Sequence, residues 1–119
     1  MSARLAEDYV QDILCSIEEI SSFVRGMDYA AFASDKKTVY AVIRSIEIAG
    51  EASKRIPEKI RARHPKIPWK RMAGMRDKLT HAYFGVDSDT LWIVATKELP
   101  ELRPHFETLA AELPKQQKS

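Results

Sequence analysis

The sequence predicts an all-α protein, an up-and-down bundle of four to five helices, and two observations carry that prediction. Apolar residues recur at three- and four-residue steps through most of the chain, and no stretch makes a convincing strand. Asparates, glycines and prolines fall at the ends of the periodic stretches, where helices start and stop. Helices with one apolar stripe each must bury it against one another, so a bundle follows.

The first helix is expected from Arg4 to Val24, where Leu5, Val10, Ile13, Leu14, Ile17, Ile20 and Val24 form the apolar stripe, with an end near Gly26. "MDYAAFASD" reads as a short helical or irregular link in which Asp28 caps a turn and Tyr29 and Phe32 pack at the edge of the core. Asp35 then caps a second long helix, whose Val39, Val42, Ile43, Ile46 and Ala49 line one face until Pro57. Gly50 lies inside it at a cost of roughly 1 kcal/mol relative to alanine, which a close helix approach would offset.

Pro57, Pro65 and Pro68 break up the basic segment "EKIRARHPKIPWK", expected as half a turn of helix and an extended loop. Pro68 can open a third helix, "PWKRMAGMRDKLTHAYF", stopped by Gly85. Asp87, Ser88 or Asp89 caps a fourth, carrying Leu91, Val94, Leu99, Leu102, Phe106, Leu109 and Leu113, with a kink near Leu99 from Pro100 and Pro104. Residues 1–113 are thus expected to form a single helical domain, and 114–119, "PKQQKS", a frayed polar tail.

With 119 residues, 45% hydrophobic and 30% charged, there is room for one small core, which a helical protein often enlarges by pairing with a copy of itself. The net charge of +2 excludes a protein that coats nucleic acid through bulk charge, so any nucleic-acid role needs a local patch. Cys15, alone of its kind, reads as a buried thiol. No apolar run could span a bilayer, and "MSARLAEDYV" is acidic where a signal peptide needs an apolar centre, so the expected location is the cytoplasm, away from membranes. His64 and His105 lack the spacing of a metal site, and no metal or cofactor is expected.

The stretch "MRDKLTHAYFGVD", Met75 to Asp87, concentrates the chemistry. At about 100° per residue, Met72, Met75, Leu79, Ala82 and Tyr83 share a core sector, and Arg76, Thr80, Asp77 and His81 spread over the neighbouring one. Arg76 with Thr80 and Asp77 with His81 are spaced for side-chain contact. Asp77 would orient His81 and favour its protonated form, as would the helix C-terminus. A histidine so placed can move a proton on or off an oxygen, while the arginine neutralises charge building on a phosphoryl group; a 2′-hydroxyl nucleophile would make the substrate RNA. One histidine cannot serve both ends of an in-line reaction, so two copies across a dimer interface would complete the set. Spacing alone fits a solvated face with i,i+4 pairs better than it fits a site, and the plain reading of Tyr83 is a half-buried aromatic with a wet hydroxyl.

"RDKLTHAY" resembles the R-x4-H-x-Y motif of HepT-like toxins, a branch of the HEPN superfamily of helical RNases, with Asp77 in the polar place after the arginine. "AVIRSIEIAGEASKRIP", "HPKIPWKRMAGMRDKLTHAYFGVD" and "LWIVATKELPEL" resemble family segments in the same order, so the likeness covers nearly the whole chain. It implies a homodimer formed through the motif helix, with both copies of Arg76 and His81 in one cleft that cuts RNA without a metal. It also implies a partner, a minimal nucleotidyltransferase antitoxin of the MntA type, which silences the toxin by moving AMP from ATP to the motif tyrosine, here Tyr83. Glu51 matches a family position but reads equally as an ion-pair partner. Lys78, Lys70 and Arg71, with Arg61, Arg63 and Lys66, could hold RNA phosphates at the rim or meet an acidic partner. The rival reading is a non-catalytic helical module that binds nucleotides or the nucleotidyltransferase through the same cleft.

Overall fold

The computed structural model describes residues 5–81 and 87–113, and of residues 76–81 the backbone alone. Among the described residues every regular element is helical: α1 (Ala6–Val24), α2 (Tyr29–Ser34), α3 (Lys36–Arg55), α4 (Glu58–Ala62), α5 (Trp69–His81), α6 (Ser88–Ile93), a π-helical turn (Val94–Glu98) and α7 (Leu99–Glu112). Four long helices result, since α6, the π turn and α7 run on as one interrupted helix.

Local chemistry sets the boundaries. The Asp8 carboxylate reaches back to accept the Leu5 backbone N–H at 3.1 Å, satisfying one of the free donors at the start of α1. After its last turn Gly26 takes φ +78°, the left-handed conformation that reverses a chain leaving a helix. Asp28 accepts the Ala31 N–H at 2.8 Å and caps α2. Asp35 caps α3 through the Thr38 N–H at 3.2 Å and also accepts the Thr38 hydroxyl at 2.9 Å. Asp87 does the same for α6, taking the Asp89 N–H and the Thr90 hydroxyl. The expected caps at Asp28 and Asp35 are therefore observed, and of three candidates for the last helix Asp87 is the one used.

Helix α3 is the central element, packed against α1 on one side and α5 on the other, with α7 closing over α1. Val10, Ile13, Ile17 and Ile20 of α1 meet Val42, Ile46 and Ala52 of α3, and Phe106 and Leu109 of α7, all essentially inaccessible. Gly50 is buried within α3, as a close helix approach requires. Phe32 is fully buried against Trp92, ring centroids 5.3 Å apart, and Tyr29 stands at the rim of the same aromatic group.

Three expectations are corrected. Cys15 is exposed, because it sits opposite the stripe formed by Ile13, Ile17 and Ile20, and its thiol donates to Glu19 at 3.3 Å. The segment after α4 is a chain of tight turns in place of an extended loop: His64 N–H bonds to the Arg61 carbonyl, Ile67 N–H to that of His64, and Trp69 N–H to that of Ile67. Buried Ile67 pulls it inward. Pro68 stands just before α5, where its carbonyl accepts the first helical bond from Met72 N–H at 3.0 Å.

The predicted kink takes the form of the π turn, in which Leu99 N–H bonds to the Val94 carbonyl five residues back. Val94 and Leu99 are both buried, although an unbroken α-helix would turn them about 140° apart. The wider turn brings both onto the core side just ahead of Pro100, which has no N–H to give. The start of the first helix at Arg4, the stop at Gly85 and the tail 114–119 lie outside the described residues.

Candidate functional site

The motif helix α5 is held at its N-terminal end by three side-chain contacts. The indole N–H of Trp69 donates to the His64 carbonyl at 3.1 Å, and its ring stands edge-on to Phe106 of α7 with centroids 5.7 Å apart. His64 itself pairs through Nε2 with Glu112 near the end of α7, at 2.8 Å. The turns before α5 are thus clamped to α7 by contacts that link residues some forty positions apart in sequence. Sequence spacing assigns His64 no role, because its partner is remote.

From that anchor the α5 backbone continues as helix to His81, so positions 76, 77, 80 and 81 lie on one regular element. Positions 76 and 81 are separated by about 7.5 Å along the axis and positions 77 and 81 by one turn. The side chains of Arg76, Asp77, Lys78, Thr80 and His81, and the whole of Tyr83, lie outside the described residues.

Of the rim cations, Lys70 and Arg71 project from the first turn of α5 and both are exposed. Arg71 is ion-paired with Glu98 in the π turn. Arg63 and Lys66 are exposed as well, and Arg61 is half-buried. Glu51, the other residue singled out, bonds Arg55 one turn along at 3.3 Å, so its ion-pair reading is the one observed. It lines a groove between α1 and α3, with Tyr9, Asp12 and Arg44.

Beside α5 runs a second groove, of about 740 Å³, between this helix and the α6 to π-turn segment; Trp69, Gly74, Met75 and Val94 line it, with Lys70, Arg71 and Thr90 at its edges. Gly74 leaves it open, since a Cβ there would meet nothing within 4 Å among the described residues. The sequence did not single out this groove. A glycine inside a helix between two methionines was its one visible trace.

No described helix is long and apolar enough to cross a membrane. Residues 13–109 match the family described as ribonuclease HepT-like. The chain is 51% identical over 106 residues to a Thermococcus cleftensis protein named "Probable ribonuclease HepT", a match covering 89% of this chain and 96% of that one. It is 46% identical over 113 residues to a Methanocaldococcus jannaschii protein named as a "Putative RNase", covering 95% and 97% of the two chains. A Caldanaerobacter subterraneus protein with the same style of name is 45% identical over 94 residues, 79% of this chain and 84% of its own. No solved structure gives a significant match.

Proposed function

This chain belongs to the ribonuclease HepT-like family, and on that premise we propose that it is the toxin of a toxin-antitoxin pair, an endoribonuclease that works without a metal from a cleft shared by two copies. As a member of that family it is an enzyme acting on RNA. The observation that carries the finer reading is the R-x4-H-x-Y string on a chain of this family, with positions 76 to 81 on one continuous helix.

In this reading the RNA 2′-oxygen attacks the adjacent phosphorus and the bond to the 5′-oxygen breaks. His81 of one copy takes the proton from the 2′-hydroxyl, and His81 of the other gives a proton to the departing 5′-oxygen. Arg76 neutralises charge on the phosphoryl oxygens, where a planar guanidinium can bond two of them at once. Asp77 orients His81, and Thr80 supports Arg76. Lys70, Arg71 and Lys78 hold flanking phosphates. Tyr83 is the residue on which a nucleotidyltransferase antitoxin places AMP, putting negative charge where RNA must bind.

The test is incubation of the purified protein with RNA in EDTA. Cleavage is expected, reduced by about a hundredfold or more in His81→Ala and in Arg76→Ala. Undiminished cleavage by either variant overturns the assignment, and loss of all cleavage on metal removal overturns the metal-free mechanism.

A further inference from the structure

The groove beside α5 continues into the motif. At 100° per residue, positions 71, 74, 78 and 81 fall within one sector of about 80°, so the helix face that borders the groove at Arg71 and Gly74 leads on to positions 78 and 81. Gly74 is about 10 Å along the axis from position 81. A ligand seated over Gly74 therefore lies next to whatever reacts at His81.

The lining selects the ligand. The floor, from Trp69, Met75 and Val94, is apolar, and its volume of about 740 Å³ suits a group the size of a nucleotide. The rim is cationic: Lys70 and Arg71 stand on it, and residues 59–75, which lead into and begin α5, carry no carboxylate. Arg71 engages Glu98 through one terminal nitrogen, which leaves further donors of its guanidinium for a phosphate. An apolar floor with a cationic rim is the arrangement that binds single-stranded nucleic acid, the base against the floor and the backbone along the charges.

We propose that this groove holds an unpaired base of the RNA substrate, beside the nucleotide cut at Arg76 and His81, with the adjoining phosphate on Lys70 and Arg71. The inference rests on the ribonuclease reading of the motif. Gly74 is then the residue that admits the base, and the clamped turns before α5 keep the cationic rim in fixed geometry.

The experiment measures binding apart from cleavage, in the full chain carrying His81→Ala, with a short single-stranded RNA of defined sequence and its variants bearing one abasic ribose. In the His81→Ala protein, the abasic step that empties the groove is expected to weaken binding about tenfold. Adding Gly74→Leu, which fills the groove with a residue of better helix propensity, weakens binding of the intact RNA by a similar factor and removes the sensitivity to that abasic step. Gly74→Ala changes affinity less than threefold. Thermal unfolding of each variant confirms the fold, and sedimentation reports its oligomeric state. Equal affinity in the presence and absence of Gly74→Leu overturns the proposal. So does a change of oligomeric state with Gly74→Leu, which makes the groove a contact between copies. Failure of wild-type cleavage tests the ribonuclease reading separately, because affinity and abasic sensitivity are read without it.

Discussion

The indole N–H of Trp69 donates to the carbonyl of His64 at 3.1 Å, and this bond joins the start of the motif helix to the turns before it. The same carbonyl accepts the Ile67 N–H, so one oxygen organises both the loop and the helix entry. Trp69→Phe keeps a ring against Phe106 and loses the bond, with an expected cost on the order of 1 kcal/mol in urea unfolding. Phe106→Ala, which empties a fully buried site, is expected to cost about 3–5 kcal/mol. No loss in Trp69→Phe would show that the indole N–H contributes little and that ring packing alone fixes the entry to α5.

Two glycines at which a Cβ meets nothing among the described residues should respond with opposite signs. Gly26 has φ +78°, and Gly26→Ala is expected to destabilise by about 1–2 kcal/mol from backbone strain alone. Gly74 lies within α5, and Gly74→Ala is expected to stabilise by about 0.5–1 kcal/mol. Denaturant midpoints at constant m-value give both signs directly.

Asp35 links α3 to pH. The Thr38 hydroxyl and then the Thr38 N–H hold its carboxyl below the usual value of 3.8. A depressed folded-state value means the charged form is the stabilising one: its contribution is complete above the unfolded carboxyl range and fades as pH falls through the folded one. Asp35→Ala is therefore expected to lower the Tm at pH 7, with the gap to wild type closing in acid below the ordinary carboxyl value. Asp35→Asn, a neutral cap, should lose less. A gap constant from pH 7 to pH 2 would contradict the charge-dependent cap.

Cys15 is exposed yet should react slowly. Its hydrogen bond to Glu19, with partial burial and the negative charges of Glu19, Asp12 and Glu18, pushes the thiol above its ordinary value. Because the thiolate is the nucleophile, alkylation by iodoacetamide near pH 8 should be slower than for free cysteine. Glu19→Gln should accelerate it, and an unchanged rate in that variant would remove Glu19 as the cause.

Tyr83 carries the proposed off-switch. Incubation with a minimal nucleotidyltransferase partner and ATP is expected to add mass in AMP-sized steps and to suppress RNA cleavage in parallel, with neither effect in Tyr83→Phe. Mass gained in Tyr83→Phe would move the acceptor to another residue.

The helical class and most helix ends were legible because they depend on near neighbours. Asp28, Asp35 and Asp87 cap within three residues, and the stripes through Ile13 to Ile20 and Val42 to Ala52 follow from a fixed turn angle. What sequence could not reveal depends on remote partners. His64 meets Glu112, Arg71 meets Glu98, and Arg103 reaches Glu18 across 85 residues at 3.1 Å. Cys15 lies in an apolar-rich stretch but off its buried face, about 160° around the helix from Ile13 and Ile17, a difference that composition does not show. The motif from Arg76 to Tyr83 was visible as a string, whereas the groove beside Gly74 needs α6 and the π turn folded against α5 before it exists.

The π turn at Val94–Glu98 also marks where this fold can change length. A wide turn is an α-helix that has absorbed one surplus residue without passing the offset on to its flanks. Removing Thr96, which is exposed, would let the segment close to ordinary α-helix while Leu91 upstream and Phe106 downstream keep facing inward. The same deletion in the middle of α1 or α3 would swing half of either stripe away from its neighbours by about 100°. Insertions and deletions among natural variants of this chain should therefore gather at this turn and spare α1 and α3.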